Sequence, residues 1–153
     1  MRTIILTDHT GHCEKNVELF LYLNKKLKVP HEISVAYTNL SNNVVNTEFA
    51  IINISEIYSV KDACMIATSI DTAEILSKAN VKAKKCFYIW DLSFLSASYD
   101  FLKMYSTFSE MALITRSEEH ARVIKNIFNL DSTIIPDFEL EPIWNLPEKT
   151  KIK

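Results

Sequence analysis

The sequence predicts an α/β fold with a doubly wound, mostly parallel sheet of six to seven strands and helices on both faces. Three observations predict it. Short apolar runs of strand length alternate with helical patterns along the chain. The strand runs are apolar throughout, which is typical of parallel strands buried on both faces. The length of 153 residues fits one domain of this kind.

The first half of the chain is predicted to hold three strands and one long helix. Residues 3–7 (TIILT) are short and β-branched, as a buried strand should be. Apolar residues at spacings of three and four then mark one face of an amphipathic helix, at Val17, Phe20, Leu23 and Leu27. Pro30 ends this helix. Strands follow at 33–37 and 49–54, separated by the polar loop 38–48 and followed by a short irregular or helical stretch.

The second half continues the alternation of strands and helices. Strands are predicted at 64–68, 86–90, 112–115 and 133–135. Asp71 offers a helix N-cap, with Glu74 three residues on, and this helix runs to about Ala79. A mixed helical segment covers 97–105. Ser117 caps a final helix with an acidic first turn and an apolar face formed by Ala121, Ile124 and Phe128.

These elements predict a single domain over residues 1–136. Residues 137–153 form a proline-containing tail that packs on the domain or on a partner chain. The tail carries Trp144 between Ile143 and Leu146, and such an aromatic side chain could anchor a partner. Folding back over the domain is the favoured alternative.

Composition and charge exclude several classes of protein. The formal net charge is −2, so no global basic surface favours nucleic acid. No apolar run reaches the roughly 18 residues of a membrane span, and the first run is too short for a signal peptide. The three cysteines make no disulfide or zinc pattern, which fits a reducing, cytoplasmic compartment. Abundant Ile, Lys and Asn indicate an AT-rich genome, such as that of a bacteriophage or an AT-rich bacterium, with the host cytoplasm as the location if a phage encodes the protein.

The chain has one glycine, Gly11. A dinucleotide-binding G-x-G-x-x-G loop needs three glycines and a Walker A loop needs two. We therefore exclude a nucleotide held by a conventional glycine-rich loop, and we predict no cofactor. Because ligands of doubly wound sheets sit beyond the carboxyl ends of the strands, we expect a site in the loops that follow strands.

The loop after the first strand, 8–14 (DHTGHCE), is the first candidate site. It contains four residues of metal-ligating type, Asp8, His9, His12 and Cys13. A metal site needs three or four converging groups, and a polar loop that caps the next helix is the favoured interpretation. For Cys13, an inert, half-buried thiol is favoured over a catalytic one, because no C-x5-R phosphatase pattern follows it.

Two further candidates lie at later strand ends. Asp91, after the fifth strand, could act as a base or bind a sugar hydroxyl; the alternative is a helix cap or turn residue. Ser117 and the free amides behind it could hold an anion, although plain N-capping is favoured. If the protein is an enzyme, its catalytic candidates are Asp8, His9 and Asp91.

Residues 10–14 (TGHCE) resemble the T-G-x-T-E core of the FMN phosphate loop of flavodoxins. This resemblance implies that Thr10, Gly11 and His12 bind a ligand, with Trp90 and Tyr99 available to stack on a flavin. The later loops lack the glycines that are usual in that family. A small FMN protein is therefore a second alternative.

Four segments occur in succession at 64–69 (CMIATS), 88–91 (YIWD), 114–117 (ITRS) and 134–138 (IIPDF). They resemble strand ends of the N-terminal, acceptor-side domain of GT-B glycosyltransferases. The second is similar to the family's Y-x-x-Q-D strand end, with Trp90 in place of Gln, and the last is similar to its V-I-P-N-G strand. With the compatible N-terminal strand and helix, the resemblance covers about half of the chain.

This resemblance implies a Rossmann-like domain that takes a sugar-type ligand. In the family, the donor nucleotide-sugar binds mainly to a second domain, and the chain ends where that domain would begin. We therefore expect a stand-alone domain without catalysis of its own, which acts as an accessory or protein-interaction protein with another chain as partner. The alternative is the acceptor-binding half of a split glycosyltransferase.

Overall fold

The computed structural model describes residues 1–26, 32–41, 47–97 and 100–149, and it confirms the predicted α/β fold. Within these residues, seven strands form one sheet in which all neighbouring strands are parallel. The strands are β1 (Arg2–His9), β2 (Ile33–Asn39), β3 (Ala50–Asn53), β4 (Ala63–Ala67), β5 (Ala83–Ile89), β6 (Ala112–Thr115) and β7 (Thr133–Ile134). Leu27, Pro30, Tyr99, the middle of loop 38–48 and the last four residues lie outside the described ranges.

The strand order is β3-β2-β1-β4-β5-β6-β7. From β1 the chain builds outwards through β2 to β3, and it then returns to the other side of β1 and builds through β4 to β7. The order therefore switches between β1 and β4. Since right-handed crossovers in the two directions use opposite faces of the sheet, the connections after β1 and β4 leave in opposite directions and a crevice opens between them.

Helices cover both faces of the sheet. They are α1 (Glu14–Lys26), α2 (Ile70–Lys78), α3 (Phe101–Ser109), α4 (Glu118–Phe128) and α5 (Leu140–Trp144), and 3-10 helices lie at Ile54–Ser59 and Ser93–Ser96. One apolar cluster joins α2, α3 and α4 to the sheet, and a second joins α1 and α5 to its other face. Ile4 and Leu6 of β1 belong to the first cluster and Ile5 to the second, as the alternation of side chains along a strand requires.

Helix α2 begins at a different residue from the predicted one. Its N-cap is Ser69 and not Asp71, because Ser69 Oγ accepts a hydrogen bond from the Thr72 backbone N–H (3.2 Å). In return, Thr72 Oγ1 accepts from the Ser69 backbone N–H (3.1 Å). The capping box therefore consists of Ser and Thr instead of Asp and Glu.

Other predicted boundaries were also wrong, and β5 runs over Ala83–Ile89 instead of 86–90. Strand β1 continues to His9, which pairs with Asn39 of β2, so Asp8 and His9 end the strand instead of starting the loop. The helical segment predicted at 97–105 has the wrong bounds, because a 3-10 helix precedes it at Ser93–Ser96 and α3 runs from Phe101 to Ser109. Helix α3 starts later because the Asp100 side chain caps it, accepting from the Leu102 N–H (2.8 Å).

The C-terminal segment folds back on the domain. It contains the unpredicted helix α5, so α4 is not the final helix, and Ile143 of α5 is fully buried. Trp144 Nε1 donates to Thr3 Oγ1 (2.9 Å). The buried Lys84 of β5 donates through Nζ to the main-chain oxygens of Trp144 (2.7 Å) and Leu146. Since Thr3 and Lys84 lie near the starts of their strands, these contacts fasten the segment at the amino edge of the sheet.

Candidate functional site

An open cleft lined by both polar and apolar side chains lies at the carboxyl edge of the sheet, where the strand order switches between β1 and β4. Its volume is about 520 Å³, which is within the usual range of small-molecule sites. We call it the switch-point cleft. Its principal lining residues come from the ends of three neighbouring strands and the start of α1, and they are Asp8, Lys15, Thr68, Ser69, Trp90 and Asp91.

Asp8 lies near the end of β1 and is half-buried in the wall of the cleft. Its Oδ1 accepts a hydrogen bond from Ser69 Oγ over 2.6 Å, which joins β1 to the cap of α2. Among the described residues, its second oxygen, Oδ2, makes no hydrogen bond. The carboxylate is therefore held in position with one oxygen available to a ligand.

Asp91 follows β5 and lines the same cleft. Its Oδ1 accepts hydrogen bonds from the Ser93 N–H (2.9 Å) and from Ser93 Oγ (2.5 Å), which is the geometry of an Asx turn. Asp91 is therefore a turn residue, which was the alternative to a ligand-binding role, and the turn holds its carboxylate in position. As for Asp8, Oδ2 makes no hydrogen bond within the described part of the chain.

Lys15 of α1 is a cleft residue that sequence reasoning missed. Its Nζ donates to the main-chain oxygen and to Oγ1 of Thr68 (3.3 and 3.2 Å). Burial lowers the pKa of Lys15, and the nearby Asp8, Cys13 and Asp91 oppose part of that shift. Lys15 stands in the first turn of α1, where a positive charge is unfavourable because the helix dipole is positive there. A lysine in the first turn of a predicted helix is the sequence signal that could have identified Lys15 as a candidate.

Gly11 is enclosed by its own loop. Its N–H donates to His9 Nδ1 (3.0 Å), and its carbonyl oxygen accepts from Asn16 Nδ2 (2.9 Å). A Cβ at this position would lie 2.6 Å from Ser41 Oγ. The close packing of the loop therefore requires a residue without a side chain. The amide of the one glycine is therefore engaged within the loop.

The other candidates in the first loop lie outside the lining of the cleft. Thr10 is fully buried, and its Oγ1 accepts from the Ser41 N–H (3.1 Å). His12 is exposed, and His9 faces the amide of Gly11. Of the sequence candidates at 8–12, the structure brings only Asp8 into the cleft.

Cys13 also lines the cleft and caps α1. The Asn16 N–H points at its Sγ (3.5 Å), and the Val17 N–H donates to its carbonyl oxygen (2.9 Å). The thiol is half-buried. In the described ranges, no three side chains of His, Cys, Asp or Glu converge closely enough to hold a metal ion.

The remaining candidates are occupied by contacts within the domain. Ser117 caps α4 by accepting from the His120 N–H (3.2 Å), and it is outside the cleft lining. The Trp90 ring carries the Arg116 guanidinium 3.9 Å from its centroid. It also stacks on Phe138 with the ring centroids 5.8 Å apart. These neighbours occupy part of the Trp90 ring on which a flavin would stack.

The strand order, the two covered faces and the cleft define a Rossmann-like α/β domain. Comparison with protein families, with curated proteins and with solved structures finds no match for this chain. The GT-B and flavodoxin resemblances therefore rest on the sequence segments quoted above. Among the described residues, no helix is both long and apolar enough to span a membrane.

Proposed function

We propose that the protein binds a small polyhydroxylated, sugar-type molecule in the switch-point cleft. The observation that carries this proposal is the pair of carboxylates, Asp8 and Asp91, placed on either side of the end of β4. A serine fixes Oδ1 of each, and Oδ2 is left for a ligand. Fixed, charged acceptors make strong hydrogen bonds with hydroxyl donors, so such a pair suits neighbouring hydroxyl groups of a sugar.

The charge of the cleft restricts the class of sugar. Four carboxylates line it, those of Asp8, Glu14, Asp71 and Asp91, and among the described lining residues Lys15 alone is basic. A net negative cleft repels phosphate groups. We therefore propose an uncharged sugar as the ligand and not a sugar phosphate or a nucleotide.

This function agrees with the acceptor-side, sugar-binding role that the GT-B resemblance implies. In the proposal the chain alone holds the sugar without transferring it, and it serves as an accessory to another protein chain. Asp8 and Asp91, which were candidates for catalysis, are binding groups in it. His9 takes no part, because it does not line the cleft and its Nδ1 accepts from the Gly11 N–H.

An FMN-binding function is less well supported by the same geometry. The Gly11 N–H and Thr10 Oγ1, which would face the phosphate in a flavodoxin-like loop, both bond within the domain. Trp90, the described aromatic candidate for stacking on the flavin, already contacts Arg116 and Phe138 through its ring.

Isothermal titration calorimetry with a panel of uncharged pentoses and hexoses, and with their phosphate esters, tests the proposal. We expect saturable binding of at least one uncharged sugar. The affinity for its phosphate ester should be lower by about tenfold or more, since the carboxylates of the cleft repel the phosphate group. The variant Asp91→Asn keeps the Oδ1 acceptor of the Ser93 turn but loses the charge, and it should weaken binding about tenfold or more.

The matched control is Asp131→Asn, because Asp131 is exposed, does not line the cleft, and its ion pair with Lys125 is solvated. This variant should bind the sugar as the wild type does. The proposal is wrong if no uncharged sugar of the panel binds, or if Asp91→Asn binds it with unchanged affinity.

A further inference from the structure

We propose that Lys15 Nζ condenses with the aldehyde group of a molecule held in the switch-point cleft and forms a reversible imine. The inference rests on the proposed function for the position of the ligand. It adds a covalent step and restricts the ligand to sugars that expose an aldehyde in their open-chain form.

The hydrogen bonds of Lys15 suit an uncharged amine. Nζ has two acceptors among the described residues, the main-chain oxygen and Oγ1 of Thr68. The Thr68 hydroxyl donates its own hydrogen to the Leu6 carbonyl (2.8 Å), so Oγ1 is an acceptor towards Lys15. A neutral amine carries two N–H donors, which these two acceptors satisfy, and no described residue donates a hydrogen bond to its lone pair.

The surroundings of Lys15 are consistent with this state. No ion pair joins it to a carboxylate among the described residues, although Asp8 of β1 and Asp91 after β5 line the same cleft. Cys13, before α1, is the third group whose charge acts on it. Burial outweighs these three groups and lowers the pKa of Lys15. A larger fraction of this amine is therefore uncharged near neutral pH than of an ordinary exposed lysine.

The proposed step balances without an oxidant or a reductant. The Nζ lone pair attacks the carbonyl carbon, a C–N bond forms, and the carbonyl oxygen takes up a proton to give a carbinolamine. Nitrogen then loses a proton. The hydroxyl group takes up a second proton and leaves as water while the C=N bond forms, and nitrogen gives up its remaining proton to leave the imine. Asp8 and Asp91 can accept and return these protons, because both carboxylates line the cleft. Hydrolysis reverses the step.

Reductive trapping tests the proposal on the full chain. The protein is incubated with D-glyceraldehyde and sodium cyanoborohydride near pH 7.5, and the labelled lysines are identified by peptide mass spectrometry. We expect Lys15 to be labelled at least about tenfold faster than Lys82, because a bound aldehyde has a raised effective concentration at Nζ. Lys82 is a suitable reference, since its side chain is 86% exposed.

Lys149 separates the effect of the cleft from that of a lowered pKa. Burial also lowers the pKa of Lys149, but this residue does not line the switch-point cleft. Lys15 should be labelled faster than Lys149, and an excess of sorbitol, which has no carbonyl group, should slow labelling at Lys15 alone. In Lys15→Arg the fast labelling should disappear, while in Lys149→Arg it should persist.

Equal labelling of Lys15, Lys82 and Lys149 would overturn the imine proposal. Calorimetry with sorbitol and the uncharged sugars distinguishes failure of the imine proposal from failure of the proposed sugar-binding function. If these compounds bind while Lys15 is labelled no faster than Lys82, only the imine is wrong. If Lys15 is labelled selectively while no polyol binds or competes, the polyhydroxyl ligand is wrong.

Discussion

Lys15 in the first turn of α1 donates through Nζ to both oxygens of Thr68, the residue that follows β4, at 3.3 and 3.2 Å. The contact joins two elements that leave the sheet towards opposite faces. It therefore crosses the crevice at the switch in strand order, where ligands of doubly wound sheets bind. This one side chain connects the architecture of the domain to the chemistry of its cleft.

The first prediction concerns Asn16, which is fully buried beneath the first loop. Its Nδ2 donates to the carbonyl oxygens of His9 (2.8 Å) and Gly11 (2.9 Å), and its Oδ1 accepts from Thr7 Oγ1 (3.1 Å). Asn16→Ala removes the donor to the Gly11 carbonyl and leaves the Thr7 hydroxyl and the His9 carbonyl only their contact with each other (3.2 Å), and we expect it to lower the free energy of unfolding by about 2–3 kcal/mol. Urea unfolding measures this change.

The control for Asn16 is Asn126, which is exposed on α4. Asn126→Ala should change the free energy of unfolding by less than about 0.5 kcal/mol. Equal stability of Asn16→Ala and the wild type would show that the network does not hold the loop.

The second prediction concerns the one glycine. In Gly11→Ala the new Cβ would meet Ser41 Oγ at 2.6 Å and His9 Nδ1 at 3.1 Å, so we expect a loss of stability of about 1–3 kcal/mol. The second variant, Ser41→Gly, removes the nearest obstacle. The double variant should then recover part of the loss, by at least about 0.5 kcal/mol in a double-mutant cycle. Strictly additive effects would contradict the packing role.

Much of the fold was predictable because buried parallel strands read as apolar runs. Every residue of β4 (Ala63–Ala67) is buried, and the sequence there shows no alternation. The predicted start of α2 was wrong, because Asp71 with Glu74 and Ser69 with Thr72 are both acceptable caps and only the end of β4 decides between them. Helix α5 was missed because its five residues include Pro142 and lack a long apolar period.

The site was predictable only where it depends on position after a strand. Asp8 and Asp91 could be chosen because they end or follow buried strands. Lys15 could not be chosen in this way, because its partner Thr68 is 53 residues away and meets it only if β4 lies beside β1. Thr10 and Gly11 were predicted to bind a ligand because of a short resemblance to a flavodoxin loop. In the structure both residues are buried against Ser41 instead.

The third prediction concerns the anchor of the C-terminal segment. Lys84 is buried and donates to the carbonyl oxygens of Trp144 (2.7 Å) and Leu146. Lys84→Met leaves both carbonyls without this donor, so we expect a loss of about 2–3 kcal/mol and faster proteolytic cleavage within residues 145–149. The control Lys82→Met, at an 86% exposed side chain, should change neither. Unchanged cleavage of Lys84→Met would contradict the anchoring role.

The fourth prediction concerns stability at high pH. Burial raises the pKa of Tyr88 well above its usual range, and the nearby Arg116 opposes part of that shift. The unfolded tyrosine ionises near pH 10 while the folded one stays protonated, so Tyr88 stabilises the fold below pH 10 and this contribution falls as the pH rises above it. By linkage, the loss is about 1.4 kcal/mol at pH 11.

Tyr88→Phe should therefore reduce the drop in stability between pH 8 and pH 11 by about 1.4 kcal/mol, as measured by urea unfolding at both values. It should also be less stable than the wild type at pH 8, because Tyr88 OH donates to the carbonyls of Ile135 (2.9 Å) and Pro136 (3.0 Å). The matched control is Tyr58→Phe, since Tyr58 is 60% exposed. An identical pH dependence of Tyr88→Phe and the wild type would refute the prediction.

The central claim, that the switch-point cleft binds an uncharged sugar through Asp8 and Asp91, is tested most directly by two-dimensional ¹H–¹⁵N NMR during titration with the uncharged sugars of the panel. For at least one sugar, we expect saturable shifts in the amide signals of Asp8, Lys15, Ser69, Asp91 and Ser93, with those of Ser117 and of the segment 140–149 unchanged. Asp91→Asn should weaken the response about tenfold or more. The claim would be contradicted if no sugar shifts the cleft signals, or if the shifts occur only elsewhere.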